Sequence, residues 1–148
     1  MSVGEQESTA SQTLGQAIER WWREHGDLDY QVGAVVHALT QRGVAAASAA
    51  IEDFASALED HLGVEEEVYF PLIERLAPEH TPAVQRARLA HLELRDGIDE
   101  LREQLMRGEL MPARRSFTAL LARLRSHEEM EGRIIADLAR SSCAEISH

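Results

Sequence analysis

Hydrophobic residues recur along the 148-residue chain at alternating intervals of three and four positions. This spacing places them on one face of an α-helix, and four separate stretches of the chain carry it. The faces that it predicts are Ile18, Trp21, His25, Leu28, Val32, Val35 and Leu39; Ile51, Phe54, Leu58, His61, Glu65, Val68 and Leu72; Val84, Ala87, His91, Leu94, Ile98, Leu101 and Leu105; and Phe117, Leu120, Leu124, His127, Glu131, Ile134 and Leu138. The pattern indicates four amphipathic helices around one core.

Residues that break helices separate the four stretches, at Gln41 to Gly43, at Pro71 and again from Pro78 to Pro82, and at Gly108 to Pro112. Short connections between long amphipathic helices favour antiparallel neighbours. We therefore predict an all-α fold, an up-down-up-down antiparallel four-helix bundle over residues 17–141. Residues 1–16 are expected to form a flexible N-terminal segment, and residues 142–148 a C-terminal tail.

The charge of the chain excludes some classes of partner. Its 15 Lys and Arg residues against 26 Asp and Glu residues give a formal net charge of −11 at pH 7. This charge repels phosphate backbones and anionic lipid headgroups, so we expect neither nucleic acid nor membrane as a partner. The first residues lack the basic and apolar regions typical of a signal peptide, no apolar run reaches membrane-spanning length, and the one cysteine, Cys143, has no second cysteine to pair with. We therefore expect a cytoplasmic protein, as a monomer or a weak homodimer.

One histidine interrupts each predicted apolar face: His25, His61, His91 and His127. In each pair of consecutive helices, the two histidines lie at nearly equal distances from the turn that joins them, which predicts one layer of the core containing all four. Glu65 and Glu131 follow His61 and His127 by four residues. Residues four apart share a helix face, so both carboxylates are expected to enter the same layer.

Metal binding explains this layer better than the alternatives do. A buried carboxylate costs several kcal/mol unless a cation or hydrogen bonds compensate it. Two His–Glu contacts that only fix helix register would leave His25 and His91 without a role. Six ligands exceed the four of a structural zinc site, and carboxylate with imidazole suits iron, manganese or zinc in a two-metal centre. None of the four histidines follows a carboxylate by three residues, the spacing of ferritin-like di-iron bundles.

The order of these residues resembles that of the hemerythrin-like family: a lone His, then H-x-x-x-E, a second lone His, and a second H-x-x-x-E. Here the residues are His25; His61 with Glu65; His91; and His127 with Glu131, and the segment HLGVEEEVYFP from His61 is also similar to that family. The resemblance covers about residues 17 to 141. It implies two iron ions in an oxo- or hydroxo-bridged di-iron centre, held by the histidines and bridged by the two carboxylates.

One departure from the family's oxygen carriers bears on function. The carriers have five histidines, two of them spaced H-x-x-x-H on the third helix, whereas Ala87 and Arg95 flank His91 here. One more coordination position is then open, which favours a catalase-like reaction with H₂O₂. The resemblance implies such a reaction for some bacterial hemerythrin-like proteins, mycobacterial ones included. The alternative is reversible O₂ or NO binding for storage, sensing or detoxification, and an iron-responsive interaction module is the weakest interpretation.

Five other side chains near the layer are candidates for supporting roles: Phe54, Tyr30, Tyr69, Glu66 and Glu128. Phe54 lies seven residues before His61 and is expected either to line the pocket or simply to pack in the core. A seventh ligand could be one of the two tyrosines, one of the two glutamates, or water. Surface or boundary packing is the more common role for these tyrosines, and helical geometry turns the two glutamates mostly toward solvent.

Two tryptophans and three glycines complete the prediction. Trp21 and Trp22 are expected to be core and boundary residues. Gly26, Gly63 and Gly132 lie within two residues of a proposed ligand, inside predicted helices where glycine costs about 1 kcal/mol relative to alanine. A close helix approach or a local kink at the site would explain them.

Overall fold

A computed structural model describes the backbone of residues 3–146 and the side chains of residues 15–141. Within this range the chain is helical almost throughout and has no β-strand, which confirms the all-α prediction. The α-helices are α1 (Val3–His37), α2 (Val44–Val64), α3 (Phe70–Leu76), α4 (Thr81–Met106) and α5 (Leu110–Ile146). Ala38–Arg42 and Glu65–Tyr69 are π-helical, and Pro78–His80 is a 3₁₀ turn. Because the second π segment joins α2 to α3, the bundle has four long helices.

Glycines make two of the three turns between these helices. Gly43 follows the first π segment with φ 95°, and Gly108 follows α4 with φ 73°. Only glycine adopts this left-handed region without strain, so the helices end at the positions that the sequence predicts. The Gly43 N–H donates to the Ala38 carbonyl oxygen, which closes the first turn.

The predicted break at Pro71 is wrong. The helix continues through this residue to Leu76 and ends at Ala77, directly before Pro78. Pro71 lies in the first turn of α3, where a missing backbone N–H and a fixed φ are tolerated. The connection between α3 and α4 is therefore only the short stretch around the 3₁₀ turn.

The π segment Glu65–Tyr69 also corrects the predicted face of the second helix. Val68 is 44% exposed, and Tyr69 takes the buried position instead. A π turn contains one more residue than an α turn, so every residue after it moves round the helix relative to the regular 3-4 pattern. The remaining residues of the predicted face, Ile51 to Glu65 and Leu72, are buried.

The structure describes the two ends of the chain only in part. Helical backbone begins at Val3 and extends to Ile146, which includes most of the predicted segments 1–16 and 142–148. The side chains of residues 1–14 and 142–148, Cys143 among them, lie outside the described residues. The division into segment, bundle and tail therefore stays a prediction.

The apolar core has two parts. The larger cluster contains Leu28, Val32, Val35, Ala38, Leu39, Ala47, Ile51, Phe54, Ala55, Leu58, Leu62, Leu94, Ile98, Leu101, Leu105, Ala113, Phe117, Leu120 and Leu124. The smaller cluster contains Phe70, Leu72, Ile73, Ala77, Val84, Ala87, Ile134 and Leu138. In three of the long helices the predicted His, with its Glu where there is one, falls between residues of the two clusters, and in α1 His25 falls between Ile18, which packs against the smaller cluster, and Leu28 of the larger one. A polar layer therefore separates two apolar ones.

Two further features describe the molecule. α4 and α5 pack closely at Gly97, where an added Cβ would lie 2.7 Å from Leu120 Cδ1. Within the part of the chain that the structure describes, no helix is both long and apolar enough to cross a membrane.

Candidate metal centre

The six residues predicted as ligands are the buried polar residues among the described side chains. Their exposure ranges from 0% for Glu65 and His91 to 8% for His25. Candidate ligand atoms fall into two groups, and within each group all lie within 4.8 Å of one another. The first group is His25, His61 and Glu131, and the second is Glu65, His91 and His127. Side chains from distant parts of the sequence thus meet at two adjacent places.

The distances within the layer are short. His61 Nε2 lies 2.9 Å from Glu65 Oε1, and His127 Nε2 lies 2.9 Å from Glu131 Oε1. The Nε2 atoms of His91 and His127 are 2.9 Å apart. Glu65 Oε1 is also 3.7 Å from His91 Nε2 and 3.9 Å from His127 Nε2, so this carboxylate stands between the two groups.

The outer nitrogens of three imidazoles face hydrogen-bond acceptors. His25 Nδ1 is 2.7 Å from the Trp21 carbonyl oxygen, His61 Nδ1 is 2.8 Å from Glu24 Oε2, and His91 Nδ1 is 3.0 Å from Glu66 Oε2. Because none of these oxygens carries a hydrogen when the carboxylates are ionised, each Nδ1 donates. In a neutral ring this leaves the Nε2 lone pair directed into the layer.

Several atoms that face the layer have no hydrogen-bond partner among the described residues: His25 Nε2, His61 Nε2, both oxygens of Glu65, and Glu131 Oε1. His61 Nε2 and Glu65 Oε1 are close, but their geometry is not that of a hydrogen bond. Buried polar atoms without partners are costly, and converging lone pairs repel. A bound cation would give these atoms a partner and remove the repulsion between their lone pairs. The nitrogen and oxygen donors suit iron, manganese or zinc. The residues fit a metal site.

Without metal, protons balance part of this charge. Burial raises the pKa of Glu65, but the nearby His127 and His61 outweigh it and lower that pKa to about 2. Burial lowers the pKa of His61, yet Glu65 and Glu24 outweigh it, so the net shift is upward. For His25 and His91 burial dominates, and their pKa values fall. The proton on the metal-free layer is therefore favoured at His61.

Two arginines hold the outer carboxylates. Arg20 Nε donates to Glu24 Oε1 at 2.9 Å, and Arg95 Nη2 donates to Glu66 Oε2 at 2.8 Å. Each glutamate in turn accepts from a histidine of the layer, which gives two chains of contact: Arg20–Glu24–His61 and Arg95–Glu66–His91. Contacts with Arg95 and His91 outweigh burial and lower the pKa of Glu66.

Both of the glutamates predicted to face solvent are half-buried. Glu66 is bound by Arg95 and His91, as described above. Glu128 Oε1 lies 3.9 Å from His25 Nε2, beside the first group. Burial and the repulsion of Asp29 raise the pKa of Glu128 to about 7. The predicted exposure of these two residues is wrong because they lie at the edges of a helix face. There the spacing of hydrophobic residues does not separate buried from exposed side chains.

The two tyrosines differ in position. Tyr30 is 76% exposed, as its predicted surface role requires. Tyr69 is buried rather than at the boundary, and its hydroxyl has no partner among the described side chains. Burial, together with the nearby Glu24 carboxylate, raises its pKa to about 12. The π segment explains this placement, because it turns Tyr69 inward in place of Val68.

The predicted aromatic neighbours are partly as expected. Phe54 is buried and packs edge-to-face on Phe117 within the larger apolar cluster, with ring centroids 5.6 Å apart. Trp21 is buried and packs on His25 at 3.8 Å between centroids, which agrees with a core role. Trp22 is 63% exposed and is therefore a surface residue rather than a boundary one.

Close packing does not explain the glycines near the proposed ligands. An added Cβ at Gly26 or Gly63 would meet nothing within 4 Å, and at Gly132 it would make an ordinary 3.7 Å contact with Trp21. The close approach is at Gly97 instead.

Sequence reasoning also missed Glu24 and the role of Arg95. The i, i+4 pair of Arg20 and Glu24 was the signal available for the first of these.

Comparison with known families decides the identity of the fold. The family model of the hemerythrin HHE cation-binding domain matches residues 16–139, most of the chain. The chain belongs to this family. As a hemerythrin domain it is expected to bind metal, iron in particular, and its two His and Glu groups could do so. Searches of curated proteins and of solved structures found no match.

Proposed function

We propose that the chain is a non-haem di-iron protein in which His25, His61, Glu65, His91, His127 and Glu131 are the protein ligands of two iron ions with an oxo or hydroxo bridge. The observation that carries this is the convergence of buried Nε2 and carboxylate atoms that have no other partner. One group supplies two imidazoles and Glu131, and the other supplies two imidazoles and Glu65. Glu65 also approaches His61 of the first group, which suits a bridging role.

The bundle that holds this centre is proposed to have up-down-up-down order. Two ion pairs between α2 and α4 support it: Arg95 pairs with Glu59, and Arg102 pairs with Glu52. The residue numbers rise by seven on one helix as they fall by seven on the other. Helices that run in opposite directions produce this relation, and short turns join the neighbours.

The proposed reaction is catalase-like consumption of H₂O₂. Neither of the two positions four residues from His91 replaces the carriers' fifth histidine, because Ala87 has no donor atom and Arg95 donates to Glu66 and Glu59. A cavity of about 240 Å³ between α4 and α5 is lined by His127, Met130 and Arg123 among others. A small polar oxidant can approach the layer there. Iron with open positions supplies redox chemistry and a Lewis acid, and this chain's residues orient and shield it.

Elemental analysis and an optical spectrum of the purified protein, followed by O₂ evolution from H₂O₂, test the proposal. We expect two irons per chain, charge-transfer bands of a bridged ferric pair, and O₂ release. His91→Ala is expected to lose iron and activity, whereas His37→Ala changes an exposed histidine and is expected to lose neither. A protein with two irons that neither consumes H₂O₂ nor releases O₂ would contradict the reaction, and one without affinity for iron would contradict the centre.

Reversible O₂ or NO binding is the second candidate, and a different cavity favours it. A small apolar cavity of about 20 Å³ lies between α1, α3 and α5, lined by Trp21, Tyr69, Ile73 and Leu138 among others. An apolar lining suits a diatomic gas better than it suits peroxide. Stopped-flow spectra separate the two functions, because a carrier forms a stable and reversible adduct and a catalase does not.

Phe54 is proposed to border the pocket on the side of the larger cluster. Its ring is 1% exposed and lies one heptad before His61 on the same helix. In Phe54→Tyr the added hydroxyl would approach the iron and change its optical spectrum. An unchanged spectrum would place this residue outside the pocket and leave it with core packing alone.

A further inference from the structure

We propose that Arg95 is a positioning residue that acts through Glu66 to hold His91 in the tautomer that binds metal. The proposal rests on the proposed di-iron centre for its consequence in metal binding, but the tautomer itself is a property of the metal-free chain. Arg95 lies four residues after His91 on the same helix and supports this ligand from outside the layer.

The contacts of Arg95 form a fork between two carboxylates. Its Nη1 and Nη2 donate to Glu66 at 3.2 and 2.8 Å, and its Nε and Nη2 donate to Glu59 at 3.0 and 2.9 Å. Glu66 Oε2 receives both Arg95 Nη2 and His91 Nδ1. One oxygen atom thus joins the guanidinium to the imidazole. A planar guanidinium fixes a carboxylate in one orientation, which a single ammonium does not do.

The consequence for His91 follows from where its ring lies. The ring is 0% exposed, its Nδ1 faces Glu66, and its Nε2 faces His127 and Glu65. A fixed acceptor at Nδ1 keeps the proton on that nitrogen and the lone pair on Nε2. Without Arg95, the Glu66 side chain, which is 27% exposed, is free to turn to water. The ring then loses the partner that selects its tautomer.

The chain contains a matched control two helical turns away. Arg102 donates to Glu52 through Nε at 2.8 Å and Nη2 at 3.1 Å, and it also links α4 to α2. Neither residue has a hydrogen bond to a histidine among the described side chains. If Arg95 only tied the two helices together, its replacement and that of Arg102 would have the same effects.

The experiment compares Arg95→Gln, Glu66→Ala and Arg102→Gln in the full chain. In the metal-free protein, ¹⁵N NMR of the imidazole nitrogens is expected to show His91 as the Nδ1–H tautomer in wild type and Arg102→Gln, and as a mixture in the other two. In the iron-loaded protein, a chelator is expected to remove one of two irons about 10–100-fold faster from Arg95→Gln and Glu66→Ala. The release of the other iron is expected to change less, because its terminal ligands His25, His61 and Glu131 are unchanged.

Glu66→Gln is included so that the comparison still decides the proposal if Glu66→Ala fails to fold. Its amide oxygen can still accept from His91 Nδ1 but lacks the charge, so we expect the wild-type tautomer with iron loss intermediate between wild type and Glu66→Ala. The proposal is overturned if Arg95→Gln shows the same His91 tautomer as Arg102→Gln, whatever Glu66→Ala shows. If wild type holds no iron, the di-iron proposal fails, and the tautomer comparison still decides whether Arg95 positions His91.

Discussion

His61 is held between two carboxylates, Glu65 on the inside of the bundle and Glu24 on the outside. The same imidazole therefore has two uses. Protonated, it balances the buried charge of Glu65 in the metal-free chain; neutral, it offers Nε2 to a metal. Proton and metal compete for one atom, so the pH dependence of the protein must change when metal binds.

Glu65 and His61 together are expected to contribute most to the stability of the metal-free protein between pH 4.5 and pH 6.5. The pKa of Glu65 is lowered from 4.5 to about 2, so its contribution is present above pH 4.5 and is lost as pH falls toward 2. The pKa of His61 is raised above 6.5, so its contribution is present below pH 6.5 and is lost as pH rises through the raised value. Urea unfolding across this pH range measures the effect; stability that rises steadily above pH 7 without metal would contradict it.

Metal binding is expected to reverse the loss of stability that the metal-free protein shows as pH rises above 6.5. Binding displaces the His61 proton, so loading releases protons and is favoured as pH rises, while acidification returns protons to His and Glu atoms and removes the metal. Calorimetric titration in two buffers of different ionisation enthalpy counts the protons released. Metal retained well below the usual histidine pKa of about 6.5 would contradict the prediction.

Tyr69→Phe is expected to stabilise the metal-free protein by about 1 kcal/mol, because its buried hydroxyl has no partner among the described side chains. Tyr30→Phe, at a position 76% exposed, is the matched control and is expected to be neutral. Thermal unfolding of both variants measures the difference. A loss of stability in Tyr69→Phe would show that the hydroxyl has a partner in solution.

At the scale of the element, regular periodicity predicted most of each helix and failed where the helix changes type. Residues 61 and 65 follow the 3-4 pattern, and both are buried as predicted. Tyr69 does not follow it, because a π turn shifts the face by one residue and hydrophobic spacing alone cannot reveal such a turn. The predicted break at Pro71 is wrong for a related reason. Proline disrupts the interior of a helix but is tolerated in its first turn, where Pro71 lies.

Two glycines in helices are expected to respond oppositely to alanine. Gly63→Ala meets nothing within 4 Å and should stabilise the protein by about 1 kcal/mol through helix propensity. Gly97→Ala brings its Cβ to 2.7 Å from Leu120 Cδ1, where Leu120 is buried. Overpacking of about 1–3 kcal/mol should cancel or exceed the gain in propensity. Equal stabilisation of both variants in urea would mean that α4 and α5 separate easily.

At the scale of the molecule, the sequence predicted the polar layer because all four helices place a histidine at one height. It could not predict the outer contacts in the same way. Glu24 and Arg95 lie at partly exposed positions, where charged residues are common and only the packing of neighbouring helices selects a partner. Ligands that interrupt an apolar pattern are visible in a sequence, whereas the groups that support them are not.

Loading with iron is expected to stabilise the whole domain. A ligand at 1,000 times its dissociation constant adds about 4 kcal/mol to the free energy of unfolding. Glu65→Gln, which neutralises the carboxylate between the two groups, is expected to lose most of this gain while keeping its helical content. Thermal unfolding with and without ferrous salt, followed by circular dichroism, measures both. An equal gain in wild type and Glu65→Gln would assign the stabilisation to another site.

The polar layer divides the hydrophobic core, and this division predicts how the domain opens. The half around Phe54 and Phe117 has the larger cluster, while the half around Phe70 and Ile134 has fewer buried apolar residues. In the metal-free chain, amide hydrogen exchange should be slow in the first half and faster in the second, since each half can lose its packing separately. Iron bound across the layer would couple the halves, so that exchange slows in both and unfolding becomes a single cooperative step.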